Sequence, residues 1–352
     1  MTDRSLGLET GRLVNGNLVE VGEGYVSNSC KGCGSAPGKV ILFGEHAVVH
    51  GQPAIAVPLT DVRARAVVTP LPAGSGTTLE AADLPGGHDA AGGLRSRLEH
   101  MAEDDPLRAL TRIAVSAFAG SRTNWPDVLI RVSSGIPIGR GLGSGAAVGT
   151  AIVRAVAEYY GESPEVSEVS DLVFEIEKLF HGTPSGIDNT VVAYEMPIYF
   201  VRGVPPTLLK LHSPLRLVVG DAGPARPTHE VVSFVRQQWQ ESPSLYEDLF
   251  GQVGEISRLA RRALETGDVS AVGGLMRRNH EVLKKMGVSS PSLDALVEAA
   301  EAAGALGAKL SGAGWGGNMV ALTGASRVTQ VAAQLRLAGA ERVIFSEVGR
   351  HV

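Results

Sequence analysis

The sequence IPIGRGLGSGAAVGTAIVRAVAEYY occupies residues 136–160 and decides the interpretation of the whole chain. Together with Gly135 it places five glycines within eleven residues, directly before an apolar pattern with helical spacing. Glycine permits positive φ and a close approach of a ligand to the backbone. The first turn of a helix offers unpaired N–H groups and a partial charge of about +0.5. The stretch therefore predicts an anion site, most simply for phosphates; a tight glycine turn that packs a helix on a sheet is the alternative.

This loop differs from two common phosphate-binding loops. No Gly-Lys-Ser/Thr sequence closes it, as a Walker A loop requires, and GRGLGSG contains no G-x-G-x-x-G fingerprint. Pro137 also precedes it, at a place where a dinucleotide-binding fold would have a central strand. The sequence thus favours a phosphate site of another class.

A second motif, SAPGKVILFGEHAVVHG, occupies residues 35–51. It predicts a buried strand, with Lys39 at its start and Glu45, His46 and His50 after its end. A single lysine is usually a surface residue, and a single histidine usually has a structural role. Because several ionisable groups flank one strongly apolar strand here, we expect them to line a cleft at its ends.

Two further motifs contain candidate site residues. The sequence EIEKLFHGTPSGIDNTVVAY (175–194) places Glu177 on a predicted helix and Asp188 in a predicted loop rich in glycine and proline. Such a loop often positions a carboxylate, although an Asx turn or a helix N-cap explains Asp188 equally well. The sequence KLSGAGWGGNMVAL (309–322) predicts two strands around a glycine-rich turn, and thus a second concave stretch of backbone.

The composition indicates a globular protein of two domains or one bilobed unit. The chain has 352 residues, is 44% hydrophobic and carries a formal net charge of −5, and this length is large for a single core. Scarce aromatic residues (5%) and the lack of a long basic run argue against a nucleic-acid partner. The chain contains no apolar run of about 18 residues, so we expect no membrane span. The N-terminus has no apolar signal segment, and two cysteines, Cys30 and Cys33, fit a reducing cytoplasm.

Strands and helices alternate irregularly, and this mixture predicts an α+β fold rather than a doubly wound sheet. We expect separate strands at 54–59 and 62–71 and a surface loop at 73–93. The segment VPPTLL, residues 204–209, has two prolines and is expected to connect two domains. The sequence leaves the oligomeric state open, a homodimer included.

The motifs APGKVILFGEHAVVHG, PIGRGLGSGAA and KLSGAGWGGN, in this order, resemble the three motifs of the GHMP small-molecule kinases. The sequence EKLFHGTPSGIDNTV resembles the mevalonate kinase branch more than the galactokinase or homoserine kinase branches. The resemblance covers about residues 35–350, and its motifs are long and mutually consistent. It implies phosphoryl transfer from ATP, with Mg²⁺, to (R)-mevalonate, which gives 5-phosphomevalonate and ADP in the route to isoprenoids.

The resemblance also implies a two-domain architecture with the active site in the cleft between the domains. An N-terminal domain similar to ribosomal protein S5 domain 2 would occupy residues 35–204, and a ferredoxin-like C-terminal domain would occupy residues 205–352. Residues 1–34 form an N-terminal extension outside the motifs.

Roles for individual residues follow from the same resemblance. Asp188 matches the proposed base for the substrate hydroxyl, and Lys39 matches the lysine that holds this carboxylate ionised and stabilises developing charge. Glu177 matches the carboxylate ligand of Mg²⁺, an ion that needs few protein oxygens. The residues that match the substrate site are Lys39, Glu45, His46, Asp188 and Thr228. The residues that match the nucleotide site are Pro137, Gly139, Gly141, Leu142, Gly143, Ser144, Gly145, Ala146, Ala147, Gly312, Ala313 and Gly314.

Two positions depart from the family pattern. The second motif usually reads GLGSSAA, and here Gly145 replaces the second serine, whose hydroxyl is the usual Mg²⁺ ligand. Ser144 could take that place by shifting inward, or a water could replace the missing oxygen. Trp315 replaces a usual glycine of the third motif, and it would either narrow the cleft or cap the domain interface. The alternatives to a mevalonate kinase are a GHMP kinase for another small hydroxylated substrate and a catalytically silent ligand-binding regulator.

Overall fold

The computed structural model describes residues 12–14, 17–19, 31–81, 94–120, 125–181 and 185–349. In chain order, the elements up to residue 208 are β1 (Arg12–Val14), β2 (Asn17–Val19), β3 (Gly32–Phe43), β4 (Ala54–Pro70), β5 (Thr77–Ala81), β6 (Leu94–Arg97), α1 (Pro106–Phe118), β7 (Val128–Ser134), α2 (Ser144–Tyr160), α3 (Val166–His181), α4 (Ile187–Tyr194), β8 (Ile198–Val201) and β9 (Val204–Leu208). The later elements are β10 (Leu215–Asp221), α5 (Thr228–Glu241), α6 (Pro243–Thr266), α7 (Val269–Lys285), α8 (Pro291–Ala302), β11 (Gly307–Ser311), β12 (Asn318–Thr323), α9 (Val328–Leu337) and β13 (Arg342–Val348).

Strands β3 to β9 form one seven-stranded sheet. Its order is β6-β5-β7-β4-β8-β9, with β3 paired to β4. The β3–β4 pair is antiparallel, whereas β5 and β7 are parallel. Strand β3 carries the apolar run VILF and is buried over most of its second half, which is the pattern of a strand enclosed on both faces.

Helix α2 packs on this sheet with most of its residues buried, and it contacts β3 and β4. Its sequence is apolar around most of its circumference, as expected for an enclosed helix. Glycines in β3 let the two backbones touch. A Cβ at Gly34 would lie 2.0 Å from the Ala151 carbonyl oxygen, and one at Gly32 would lie 2.1 Å from that of Ala155. This contact fixes the start of α2, and therefore the glycine-rich loop before it, relative to β3.

The second sheet has the order β11-β12-β10-β13 and is antiparallel throughout. Helices α7, α8 and α9 pack against it. Strand β13 also contacts β4 of the first sheet, where Asp61 Oδ2 accepts hydrogen bonds from the Ser346 hydroxyl and the Glu347 N–H. Both halves mix helices and strands, which confirms the predicted α+β class. Among the described residues, no helix is both long and apolar enough to cross a membrane.

The two strands predicted between residues 54 and 71 are in fact one strand, β4. Its register against β3 shifts between Pro37 and Gly38, whose partners on β4 are Arg63 and Leu59. The polar residues that looked like a strand end therefore form an irregularity within a continuous strand. Such bulges leave residues unpaired without ending the strand.

The segment expected to connect the domains is strand β9, which pairs with β8. The seven-stranded sheet thus extends to Leu208, beyond the boundary predicted at residue 204. Pro205 and Pro206 made this segment look like a connection. Because β9 is the last strand in the sheet order, its prolines lie at a sheet edge, where a missing N–H is tolerated.

Two other predicted loops contain regular structure. Strand β5 lies inside the expected surface loop at 73–93, of which residues 82–93 lie outside the described part of the chain. Asp188 was expected in a loop but lies in the first turn of α4, which follows Gly186 at φ +89°. The glycine and proline residues before Asp188 favour a loop, and for this reason the start of this short helix was not predicted.

Candidate active site

Lys39 and Asp188 form an ion pair between strand β3 and helix α4. Lys39 Nζ lies 3.0 Å from Asp188 Oδ2. The Lys39 side chain is only 6% exposed, whereas that of Asp188 is 31% exposed. The backbone N–H of Lys39 also donates to the Leu142 carbonyl oxygen at 3.0 Å. The apolar strand thus brings a buried ammonium to the glycine-rich loop, and the carboxylate is the accessible member of the pair.

Glu177 on helix α3 is a second carboxylate near this pair, and its side chain is buried. Burial and the neighbouring Asp188 carboxylate raise the pKa of Glu177 to about 8, although the Lys39 ammonium acts in the opposite direction. The charge of Glu177 is therefore poorly compensated by the protein alone. An additional cation beside it would favour its ionised form.

The donors around Glu177 fit a magnesium ion that also binds phosphate oxygens. Mg²⁺ in nucleotide sites commonly takes one or two carboxylates and completes its coordination with phosphates and waters. Glu177 is such a carboxylate, and burial together with the neighbouring Asp188 raises its pKa, so that a bound cation would favour its ionised form. Ser144 is half-buried at the first residue of α2, and Gly145 is exposed. Of the two predicted metal ligands, Glu177 is thus better supported by its surroundings than Ser144.

The glycine-rich loop needs its glycines for its conformation. Gly139, Gly141 and Gly143 have φ of +68°, +75° and +72°. A Cβ at Gly143 would lie 2.7 Å from Lys39 Cγ, so the loop closes over the lysine stem. Helix α2 begins directly after it, and no side chain of the described residues caps this helix end. Its first N–H groups are left for a ligand or solvent.

A cleft of about 230 Å³ opens beside the loop, between the two domains. Its lining comes from residues 139–141, from residues 225–228 before and at the start of α5, and from residues between 311 and 318. Among the described lining residues the charged side chains are Arg140 and Arg226, and none is acidic. The cleft is therefore suited to an anion.

The predicted nucleotide-site residues fall into two groups. Pro137 and Leu142 to Ala147 do not line this cleft, and Leu142, Ala146 and Ala147 are buried supports of the loop and the helix start. The cleft itself brings together Gly139, Gly141, Gly312, Ala313, Gly314 and the predicted substrate residue Thr228.

His46 connects the two domains at this cleft. Its Nε2 lies 2.8 Å from the Ala313 carbonyl oxygen. A carbonyl only accepts, so Nε2 carries the proton and Nδ1 is left as an acceptor. Burial lowers the pKa of His46 to about 4, and the ring is neutral at physiological pH. Its backbone has φ of +59°, a conformation that costs energy for a residue other than glycine.

Glu45 lies beside His46, but its carboxylate faces protein groups. Lys309 of β11 is fully buried and forms an ion pair with Glu45 Oε1, while the Asn279 side chain of α7 donates to Oε2 at 3.1 Å. Both carboxylate oxygens are thus engaged across the domain interface. These contacts give Glu45, which was predicted to bind substrate, a structural role that holds His46 against the second domain.

Several residues that line the cleft were not predicted from the sequence, and Arg140, Arg226 and Asn318 are three of them. The side chain of Asn318 donates to the Arg140 carbonyl oxygen. An arginine inside a glycine-rich anion loop is a signal that could have identified Arg140. Asn318 and Arg226 carry no comparable signal, because the segments around them meet the loop only in the folded chain.

Trp315 packs within the second domain and does not narrow the cleft. Its indole N–H donates to the Gly287 carbonyl oxygen at 2.7 Å, and its ring lies 4.8 Å from that of Phe234 on α5. Its φ of +53° explains why a glycine is usual at this position. The described contacts show neither of the two roles considered for Trp315, a narrowed cleft or a cap on the domain interface, because both partners belong to the second domain.

Comparisons with known proteins agree with the two-domain architecture. Residues 108–195 match the family GHMP kinases N terminal domain, and residues 260–341 match the family GHMP kinases C terminal. The chain is 34% identical to the mevalonate kinase of Thermococcus sibiricus over 318 residues, which cover 88% of this chain and 94% of that protein. It is 36% identical to the mevalonate kinase of Pyrococcus furiosus over 331 residues, or 90% and 96% of the two chains.

A solved structure extends the likeness to three dimensions. The crystal structure of L. major mevalonate kinase in complex with R-mevalonate superposes with a TM-score of 0.77 and 28% identity, over 92% of this chain and 97% of that one. This match confirms the predicted two-domain GHMP kinase fold. From its sequence identities and its fold together, the chain belongs to the mevalonate kinase family of the GHMP kinases.

Proposed function

We propose that this protein transfers the γ-phosphoryl group of ATP to (R)-mevalonate and releases 5-phosphomevalonate and ADP. The observation that carries the proposal is the Lys39–Asp188 ion pair, 3.0 Å long, at a glycine-rich loop and the start of a helix. Membership of the mevalonate kinase family supports the choice of substrate.

Asp188 accepts a hydrogen bond from the reacting hydroxyl and removes or orients its proton. The neighbouring Lys39 ammonium favours the ionised carboxylate. Lys39 also provides a fixed positive charge beside the oxygen that attacks phosphorus. Phosphoryl transfer requires in-line positioning and charge neutralisation more than covalent chemistry by the protein, and this pair supplies both next to the loop.

The loop and the first turn of α2 bind the phosphates through backbone N–H groups. Glu177 would hold Mg²⁺, with Ser144 at the first position of α2 as the hydroxyl candidate. When bound, the ion supplies positive charge to the phosphates. On the protein side, the buried Glu177 carboxylate would be favoured in its ionised form when such a cation compensates its charge.

The substrate would lie beside Thr228, which lines the cleft, and beside His46, which contacts the cleft residue Ala313. The Nδ1 atom of His46 is a free acceptor for a substrate hydroxyl, because Nε2 donates to Ala313. Thr228 lines the cleft with a hydroxyl that can donate or accept. Glu45 acts indirectly here, by holding His46 through its contacts with Lys309 and Asn279.

A substrate comparison tests the proposal. Purified protein is supplied with ATP and Mg²⁺ and with either (R)-mevalonate or galactose, and ADP release is followed by a coupled assay. We expect turnover with mevalonate and none with galactose. Turnover with galactose alone would contradict the assigned substrate. Nucleotide binding without turnover of either compound would favour the silent regulator.

Two expectations from the sequence stay predictions. One is a cytoplasmic location, and the other is a homodimer as one of the open oligomeric states. Light scattering on the purified protein measures the oligomeric state directly.

A further inference from the structure

Arg140 occupies a special place in the glycine-rich loop. It lies between Gly139 and Gly141, which both have positive φ. Its carbonyl oxygen accepts a hydrogen bond from the Asn318 side chain of β12. These features hold the backbone on both sides of Arg140 in one conformation. Arg140 itself is one of the residues that line the interdomain cleft.

The guanidinium of Arg140 currently contacts two acids of the second domain. Its distance to Asp221 Oδ1 is 3.5 Å, and its distance to Glu341 Oε2 is 3.1 Å. Asp221 has another partner, since the same oxygen accepts from the Gly223 N–H at 3.0 Å. Glu341 is half exposed. The Asp221 side chain is only 8% exposed and keeps the Gly223 N–H as a partner, whereas the pair with the half-exposed Glu341 contributes little.

The other surroundings of Arg140 favour an anion. Its side chain is 27% exposed, and no acidic residue is among the described residues that line the cleft. An arginine has N–H donors in a planar fork that matches two phosphate oxygens. A polyphosphate carries several negative charges, so it competes for the guanidinium with one half-exposed glutamate at 3.1 Å and one buried aspartate at 3.5 Å.

We propose that Arg140 is a phosphate-binding residue that leaves Asp221 and Glu341 when the nucleotide binds and pairs with the phosphate chain. This inference rests on the proposed function for the identity of the anion. The rest of the loop offers backbone N–H groups, and Gly145 offers no hydroxyl, so Arg140 adds a full positive charge to this loop. Asp221 and Glu341 hold the guanidinium at the cleft edge before binding.

Binding of inorganic tripolyphosphate in metal-free buffer, measured by titration calorimetry, tests this role without turnover. We expect Arg140→Gln to weaken binding at least about tenfold, because a charge-assisted bidentate contact is lost. Arg140→Lys should retain part of the affinity, since it keeps the charge but not the fork. The matched control is Arg131→Gln, which removes an exposed arginine paired with Glu80 on the same domain and should leave the affinity unchanged.

The variant Glu341→Gln separates a phosphate ligand from a simple interdomain contact. If Arg140 binds phosphate, removal of this competing acid should strengthen tripolyphosphate binding several-fold, opposite in sign to Arg140→Gln. If Arg140 only joins the domains, both variants should weaken binding alike, and the proposal is overturned. It is also overturned if the wild type does not bind tripolyphosphate or if Arg140→Gln binds within twofold of it.

Steady-state kinetics then distinguish this inference from the proposed function. In a working mevalonate kinase, Arg140→Gln should raise the KM for ATP and leave the KM for mevalonate unchanged. A wild-type protein that binds tripolyphosphate through Arg140 but does not phosphorylate mevalonate would refute the proposed function alone. The midpoint of thermal unfolding shows for every variant that the fold is retained.

Discussion

At the scale of single residues, two buried lysines differ in the exposure of the carboxylate with which each forms an ion pair. This exposure distinguishes a pair that can take part in a reaction from one that only stabilises the fold. Lys39 and Lys309 are both almost fully buried and both pair with a carboxylate. The partner of Lys309 is Glu45, which is itself buried and has both oxygens engaged. The partner of Lys39 is Asp188, which is accessible from solvent. A ligand can therefore reach only the Lys39 pair, and we expect the reaction to occur there.

The variant Asp188→Asn tests this assignment. It keeps the shape of the side chain but cannot accept a proton, so we expect kcat to fall by about 10²–10⁴-fold. ATP binding should persist, because the loop and the start of α2 are unchanged. Turnover and nucleotide binding are measured on the same preparation. A variant with wild-type kcat would remove Asp188 from the mechanism.

Gly145 is a residue whose side chain can be restored without strain. It lies in the first turn of α2, does not need positive φ, and a Cβ built there meets no atom within 4 Å. We expect Gly145→Ser to keep or raise activity and to lower the KM for magnesium-ATP, because it supplies a hydroxyl at the helix start. Gly145→Ala is the control for the helix propensity gained without a hydroxyl. A collapse of ATP binding in Gly145→Ser would show that the loop depends on glycine at this position.

At the scale of elements, close contacts between backbones decide where the two glycine-rich turns lie. Glycines of β3 admit helix α2, which fixes the loop at 139–143. In the second domain, Gly273 of α7 lies against Leu306 and Gly307 at the start of β11. Strand β11 leads into the turn at 312–314 that lines the cleft. Both walls of the cleft thus depend on a helix that touches a strand without an intervening side chain.

Two adjacent glycines of α7 provide a matched test of this contact. A Cβ at Gly273 would lie 2.3 Å from the Leu306 carbonyl oxygen, whereas one at Gly274 meets nothing within 4 Å. We expect Gly273→Ala to destabilise the protein by about 1–3 kcal/mol through overpacking. Gly274→Ala should stabilise it by up to about 1 kcal/mol through helix propensity. Urea unfolding measures both changes, and equal effects of the two substitutions would contradict the backbone contact.

At the scale of the whole molecule, buried histidines near the domain interface make stability depend on pH. Burial lowers the pKa of His46 and of His280 from 6.5 to about 4. The ring of His280 accepts a hydrogen bond from the Leu310 N–H, next to the buried Lys309. Between pH 4 and 6.5 the unfolded chain therefore binds more protons than the folded one. The contribution of each histidine is complete above about pH 6.5 and is lost as pH falls towards 4.

The variant His280→Asn tests this dependence. Asparagine keeps an acceptor for Leu310 but cannot be protonated in this range. From pH 7.5 to 5, we expect each histidine to contribute about 2 kcal/mol to the loss of stability. The variant should therefore lose about 2 kcal/mol less than the wild type over this interval, as measured by urea unfolding at both values. An equal loss in both proteins would contradict the role of His280.

Local sequence predicted most elements but not their partners. The apolar pattern after the quoted loop predicted helix α2, and glycine turns predicted the ends of several helices, because these signals act within a few residues. Strand β9 and the start of α4 were missed, because Pro205, Pro206 and the glycines before Asp188 favour a loop locally. In the folded protein, pairing at the sheet edge overrides this preference for β9, and packing against neighbouring elements overrides it for α4.

The sequence by itself determined the fold and the family, and it predicted Lys39, Glu177 and Asp188 as site residues. Each of these residues lies in a motif that is long and specific enough to be identified without knowledge of the fold. Only the tertiary structure decided which charges meet. Asp188 lies 3.0 Å from Lys39, Glu45 is held by Lys309, and Arg140 stands at the cleft opposite Asp221 and Glu341. These contacts join residues far apart in the chain, and burial sets their strength, so no local pattern contains them.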